Sequence, residues 1–190
     1  MGYPISAFAI DLKKLKPNKS EDFLAEMLEE LEEDFDDNWE NFEEQIIQEG
    51  APILERALYL LLQGKPLPKE HAFQYGYALE LLVKQLGECV NEESLEDFDD
   101  MLDPLLKKAR CPNTNDMLGR GILPMKMPRP NDWPEIGTIT PVGCIAGIGA
   151  MATIEPLAKG DDDTLEVIHE LRGWFEAAKK KKCGIVWFAY

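Results

Sequence analysis

Seven large apolar residues, Leu24, Leu28, Leu31, Phe35, Trp39, Phe42 and Ile46, recur every three or four positions through the most acidic part of the chain. At 100° per residue they share an arc of about 80°, a grouping that an α-helix produces and a strand does not. Ser20 stands where an N-cap belongs, Gly50 where the helix should end, and Pro52 opens the next one. Twelve of the fourteen acids from Glu21 to Glu49 fall on the rest of the wheel. The pattern predicts one long helix with an apolar side and an acidic side.

Charge repulsion opposes that helix. Eight acidic pairs, Glu29 with Glu33 and Asp36 with Glu40 among them, are spaced i,i+4. At roughly 0.2 to 0.5 kcal/mol each they cost about 2 to 4 kcal/mol together. Burying seven large side chains offers about 10 to 20 kcal/mol as an upper bound, so packing wins without help from a partner.

The acids are also concentrated. Between Glu21 and Glu55 there are fifteen and no lysine or arginine, whereas the other 155 residues carry 21 acids against 20 bases. The net charge of −16 thus belongs almost wholly to one segment, and it exceeds the magnitude of about 2 to 8 that keeps a small domain soluble. Such a face presents carboxylates to a basic protein, as antitoxins and immunity proteins do, with fast and salt-sensitive association. Glu29, Glu33, Asp36 and Glu40 are the candidate partner-binding residues. The plainer reading of an acidic run is a solvated helix face.

Length and composition narrow the remaining classes. At 190 residues with 45% hydrophobic content the chain reads as one domain, 1–190, able to bury its own core. The opening MGYPISAFAIDLKK has no basic region, apolar stretch and cleavage site in sequence, so a cytoplasmic location is expected. The longest uncharged run, 136–154, is interrupted by Gly137, Pro141, Gly143, Gly147 and Gly149 and does not read as a membrane span. Nucleic-acid binding through a basic face is disfavoured by the net charge. Cys89, Cys111, Cys144 and Cys183 are separated by 22, 33 and 39 residues, and only His71 and His169 accompany them. That spacing lacks the close ligand pairs of zinc sites and fits buried or partly buried thiols in a reducing compartment; no cofactor or metal is expected.

Along the chain, Ile5–Ile10 reads as a buried strand, 52–63 as a short buried helix, and 65–70 as the turn before another helix. In that helix Phe73, Tyr77, Leu81, Leu82 and Gln85 mark an apolar side, and Gly76 a close contact. Seven acids without a base between Glu92 and Asp103 precede Lys107, Lys108, Arg110, Arg120, Lys126 and Arg129, which face only Asp116, so an ion-paired neighbourhood is expected. Residues 136–140 read as a strand, with Thr140 and Pro141 as N-cap and first position of a small-residue helix. Asp163 and Glu166 have capping-box spacing before a last amphipathic helix that ends in four lysines, and Ile185–Tyr190 is a buried strand. The fold class expected is α+β: a small sheet of amino-terminal, central IGTIT and carboxy-terminal strands surrounded by five to seven helices.

The segments AFAIDL, YGYALELL, PRPNDWPEIG leading into TITP, and GWFEAAKKKKCGIVWFAY together resemble a bacterial family catalogued only as a domain of unknown function. In coarser layout the chain also resembles the YfbM-like family, with its strand-threonine-proline helix start and its terminal helix and strand. Where the first family has a Gly-Ser-Lys-Asp turn, this chain has Asn18-Lys-Ser-Glu21. The resemblance spans about Ile5 to Tyr190 and implies a fold, but no activity.

Catalytic signatures are lacking. Ser6, Ser20 and Ser94 sit in no nucleophile elbow, no cysteine is linked by motif to a histidine, and the glycines form neither a dinucleotide fingerprint nor a P-loop. One loop, 124–134, holds four prolines in eleven residues. Its Arg129, Asp132 and Trp133 are a candidate ligand-binding group, as a small-molecule pocket or an enzyme lid; the plainer alternative is that Trp133 plugs the core. The leading expectation is therefore a non-enzymatic protein that presents acidic residues 21–49 to a basic partner. A small-molecule site under 124–135 is the alternative, and a structural or oligomeric subunit with an exposed apolar patch is a third.

Overall fold

A computed structural model describes residues 3–17, 22, 23, 25, 27, 52–65, 68–91, 94, 95, 98–130 and 134–190. The chain forms two compact units, treated separately below. The first comprises 1–12, 87–124 and 135–190, and the second 13–86 and 125–134.

The first unit is built on an antiparallel sheet. Its strands are β1 (Tyr3–Ile10), β2 (Glu88–Asn91), β3 (Ser94–Leu95), β4 (Glu135–Ile139) and β5 (Gly184–Ala189), in the order β2-β1-β5-β4 with β3 beside the start of β1. β5 runs up the middle, pairing Ala7 with Trp187 on one side and Gly137 with Trp187 on the other. All six of its residues are buried, which explains why it reads as an unbroken apolar run and not as an alternation. Ile185, Trp187 and Ala189 join one apolar core, and Phe188 on the opposite face meets the edge of the Phe8 ring at 6.4 Å and 64°. β2 and β3 have no counterpart in the sequence reading, because four and two residues with Glu88 and Asn91 among them are too short and polar to show a period.

Six α-helices lie among the described residues: α1 (Leu54–Leu62), α2 (Ala72–Leu86), α3 (Phe98–Ala109), α4 (Thr114–Leu118), α5 (Pro141–Ile154) and α6 (Asp162–Lys181). With the sheet, they give the α+β fold that the sequence implies. α3 to α6 belong to the first unit and close its core through Leu102, Leu106, Met151, Leu171 and Phe175. α5 lies against α6 so closely that a Cβ on Gly147 would come within 2.5 Å of the Phe175 ring.

Local signals fix most helix ends. The Thr140 hydroxyl accepts from the Gly143 amide at 3.0 Å, capping α5 as expected. α6 starts two residues earlier than the Asp163–Glu166 spacing implies: Asp161 is its N-cap, accepting from the Thr164 amide and hydroxyl at 3.2 and 2.8 Å. Those bonds hold the Asp161 carboxyl below its usual range. Lys182 closes α6 in the left-handed conformation at φ 57°, with Lys179, Lys180 and Lys181 in the last turn. α3 continues through Pro104, which is exposed.

A close fit in this unit surrounds Trp187. Its indole occupies the space where a side chain on Gly137 would stand, since a Cβ there would lie 2.2 Å from the ring. The indole Nε1 donates to the Leu118 carbonyl at 2.8 Å. That bond leads the chain from α4 along the outer edge of β4, where Gly121 N donates to Ile136 O, Thr138 N to Gly119 O, and the Thr138 hydroxyl to Ile122 O. Gly119 turns there at φ +61°, and a Cβ would sit 2.1 Å from the Thr138 oxygen. The edge of β4 is thereby occupied. Gly137→Ala is expected to displace the indole and lower the unfolding free energy by about 1 to 3 kcal/mol, read from the midpoint of urea denaturation.

Candidate functional site

Of the acidic segment, Asp22, Phe23, Ala25 and Met27 are helical, and Met27 is buried. These positions agree with a helix that starts after Ser20, and Met27 is buried beside, not among, the seven residues expected on its apolar side. Glu29, Glu33, Asp36 and Glu40 lie outside the described residues.

The proline loop belongs to the second unit, together with α1 and α2. These two helices pack on each other, and Leu54, Leu58 and Leu61 of one and Tyr75, Leu79 and Leu82 of the other are buried. The Gln74 amide donates to the Pro52 carbonyl at 3.0 Å and ties the start of α1 to α2. Pro52 and Ile53 precede α1, so the helix opens one to two residues later than the proline suggests. Gly64 ends it in the left-handed region at φ +62°.

α2 is buried over most of its circumference, which corrects the side inferred from sequence. Phe73, Tyr77, Leu81 and Gln85 are only half-buried, whereas Gln74, Tyr75, Ala78, Leu79, Glu80 and Val83 are buried with Leu82. A helix covered on several sides has no single apolar arc to reveal its orientation. Gly76 does make the close contact expected of it: a Cβ there would meet Pro134 Cδ at 3.0 Å and Pro130 Cγ at 3.3 Å. Pro130 and Pro134 of the loop therefore pack on α2. Arg129 is exposed, and Asp132 and Trp133 lie outside the described residues.

Glu80 stands one turn beyond Gly76 on the same side of α2, at a position that no motif marks in the sequence. It is only 7% exposed, and Lys84 approaches it at a long 3.7 Å. Burial raises its carboxyl above the ordinary value, with Lys84 pulling it back. Burial likewise raises the Tyr75 phenol, against the charge of Arg56. Among the described residues, the buried Tyr75 hydroxyl and the Gln74 side-chain amide oxygen find no hydrogen-bond partner.

In the first unit, charged groups neutralise one another in small clusters. Arg120 Nη2 meets Asp99 at 2.9 Å and its Nε meets Glu135 at 3.5 Å, while its guanidinium lies 6.0 Å from the centres of the Phe98 and Trp187 rings. This is the ion-paired neighbourhood expected between residues 92–103 and 107–129. On the outer side of α6, Arg172 bridges Glu155 and Glu176 at 3.0 and 2.8 Å, and His169 approaches Glu155 at 3.3 Å. Lys181 pairs with Glu88. His169 serves an exposed ion network.

No disulfide joins the four cysteines. Burial pushes the Cys144 thiol up to about 11, so it is a poor nucleophile at neutral pH. Cys111 and Cys183 are partly buried as expected, but Cys89 is exposed, because it sits on the outermost strand of the sheet. Among the described residues, no group of three or more His, Cys, Asp or Glu side chains is placed to hold a metal ion, and no helix is long and apolar enough to cross a membrane.

A family model described as "Domain of unknown function (DUF7691)" matches residues 1–190. The chain belongs to that family. No curated protein and no solved structure matches it.

The buried carboxyl on α2 gives a measurable pH effect. Because its pKa is raised in the folded protein, the folded state holds this proton more tightly than the unfolded chain does. Ionised Glu80 therefore costs stability above its folded pKa and costs none well below its ordinary value of 4.5. Glu80→Gln is expected to raise Tm over wild type at about pH 7, with the gain shrinking as the pH falls toward about 4. Thermal melts followed by circular dichroism across that range check both the sign and the trend.

Proposed function

We propose that this chain is a non-enzymatic binding protein whose acidic segment engages a basic protein partner, in the manner of an immunity or regulatory protein. The single observation that carries this reading is the distribution of charge: fifteen acids and no base between Glu21 and Glu55. The contrast with the rest of the molecule strengthens it. Elsewhere acids and bases meet within the fold, as in Asp99–Arg120–Glu135, Glu155–Arg172–Glu176 and Glu88–Lys181. A run with no base of its own offers its field to whatever cation approaches.

The family assignment carries no activity, and neither does the coarser likeness to YfbM-like proteins. A cytoplasmic setting suits the reading, since four free thiols persist most readily in a reducing compartment. The candidate ligand loop gains little by comparison, because Pro130 and Pro134 pack against Gly76 and Arg129 points into solvent.

Binding of this kind is fast at low ionic strength and weakens as salt is added. Replacing Glu29, Glu33, Asp36 and Glu40 by lysine moves the net charge from −16 to −8. Immobilised wild-type protein is expected to retain a basic protein from host lysate at about 0.05 M salt and release it at about 0.5 M, where the Debye length is short. The reversed variant should retain none of it. Capture of the same protein by both would end the proposal.

A further inference from the structure

Two of the four cysteines come together where α5 begins and α6 ends. The short connection 155–161 folds α6 back along α5, and the two helices approach so closely that a Cβ on Gly147 would lie 2.5 Å from the Phe175 ring. One turn back along α5 from that contact is Cys144, and one turn further along α6 is Ala178, both fully buried in the same core. The Cys183 amide donates to the Ala178 carbonyl at 2.9 Å, which turns the chain back beside that residue as α6 closes. The sheet gives the same placement. A Cβ on Gly184 would lie 2.5 Å from the Ile139 oxygen, so Cys183 comes level with Thr140, whose carbonyl accepts from the Cys144 amide at 2.9 Å. Cys183 also shares the parity of Ile185 and Trp187, the β5 residues that face this core. Burial raises the Cys144 thiol, and the charge of Cys183 raises it further, an effect of near neighbours.

We infer that Cys144 and Cys183 form a redox pair, closed to an intramolecular disulfide by hydrogen peroxide and opened again by thiol reductants. Exposure sets the order of events. Cys183 is partly exposed and its thiol makes only a weak bond, to the Lys181 carbonyl at 3.5 Å, whereas Cys144 is fully buried. The Cys183 thiolate attacks one peroxide oxygen, the O–O bond breaks, and sulfur is oxidised to the sulfenic acid as the other oxygen leaves in water. The Cys183 side chain turns from Lys181 toward α5, and the Cys144 thiolate attacks its sulfur. The S–O bond breaks and a second water leaves. Two thiols and one hydrogen peroxide thus give one disulfide and two waters.

Neighbouring geometry favours this pair over one with Cys89. That residue sits on β2, and β1 separates β2 from β5, a distance of about 10 Å at two strand spacings. A disulfide needs Cα atoms within about 7 Å. Closing the 39-residue gap between Cys144 and Cys183 fastens the first turn of α5 to the end of α6 and restricts the unfolded chain, so the oxidised protein is harder to melt. In a reducing compartment such a bond is transient and reports oxidant. Sequence could not reveal the pair, because only the packing of α5 on α6 brings the two positions to one place.

The pair does not rest on the acidic-segment reading, and its test needs only the full chain and hydrogen peroxide. After a limited dose of peroxide, remaining thiols are blocked with N-ethylmaleimide in denaturant, and the digested chain is mapped by mass spectrometry. A peptide linking Cys144 to Cys183 is expected, with Cys89 and Cys111 blocked as free thiols. The melting temperature of the oxidised protein should rise by several degrees and return on adding dithiothreitol. Cys183→Ser, a change at a partly exposed position, should form no such link and show no reversible rise. In Cys144→Ala the sulfenic acid on Cys183 has no partner and is expected to be trapped by dimedone. The inference is overturned if peroxide leaves Cys144 and Cys183 of the wild type unlinked, if Cys183 is found joined to Cys89 or Cys111 instead, or if Cys183→Ser gains the same reversible rise.

Discussion

The indole of Trp187 and the missing side chain of Gly137 occupy one space, and the first unit is organised around that fact. On the face of β5 that carries Ile185 and Ala189, its largest residue finds room above β4. The same ring bonds the Leu118 carbonyl and so anchors the end of α4. From there the chain follows β4, satisfying an edge that would otherwise invite pairing with another molecule. Arg120 settles over the rings of Trp187 and Phe98 and gathers Asp99 and Glu135 about itself. Sheet edge, helix end and ion cluster all depend on one aromatic residue being seated.

Electrostatics separates the chain into a neutral body and one acidic segment. In the body, most ion pairs are at least partly exposed and each contributes little to stability, with exposed pairs worth about 0 to 1 kcal/mol. Their effect is to leave the surface without a large field of either sign. α5 carries this to its limit, with no charge at all. The long-range field of the protein is thus set by residues 21–55, whereas short-range apolar contact is available elsewhere.

Much of the framework was legible in sequence because it rests on local signals. The unbroken apolar run of β5, the Thr140–Pro141 helix start and the closing lysines of α6 each act through neighbouring residues, and each is present in the structure. What escaped reading depends on tertiary surroundings. β2 pairs with β1 despite its polar residues, since a ladder can recruit a short strand that has no period of its own. α2 buries Glu80 and Gln74 on sides that periodicity assigned to solvent, and Asp161 took the cap from Asp163 because Thr164 supplied two donors. Of the candidate site residues, Arg129 is the one that the structure describes, and Gly76 makes the close contact expected of it, whereas the burial of Glu80 depends on tertiary packing that no local pattern marks.

The pairing of β1 with β5 joins residues almost a whole chain apart, Ile5 with Ala189. During synthesis, β1 leaves the ribosome long before its central neighbour β5, so the ladder between them cannot close until residue 189 has emerged. For most of that time the segment ISAFAI is a bare apolar strand without its principal ladder. Nascent-chain handling, more than the stability of the finished fold, sets the hazard here: a ribosome stalled anywhere before Gly184 presents an amino-terminal strand whose hydrogen bonds are open to a neighbouring chain.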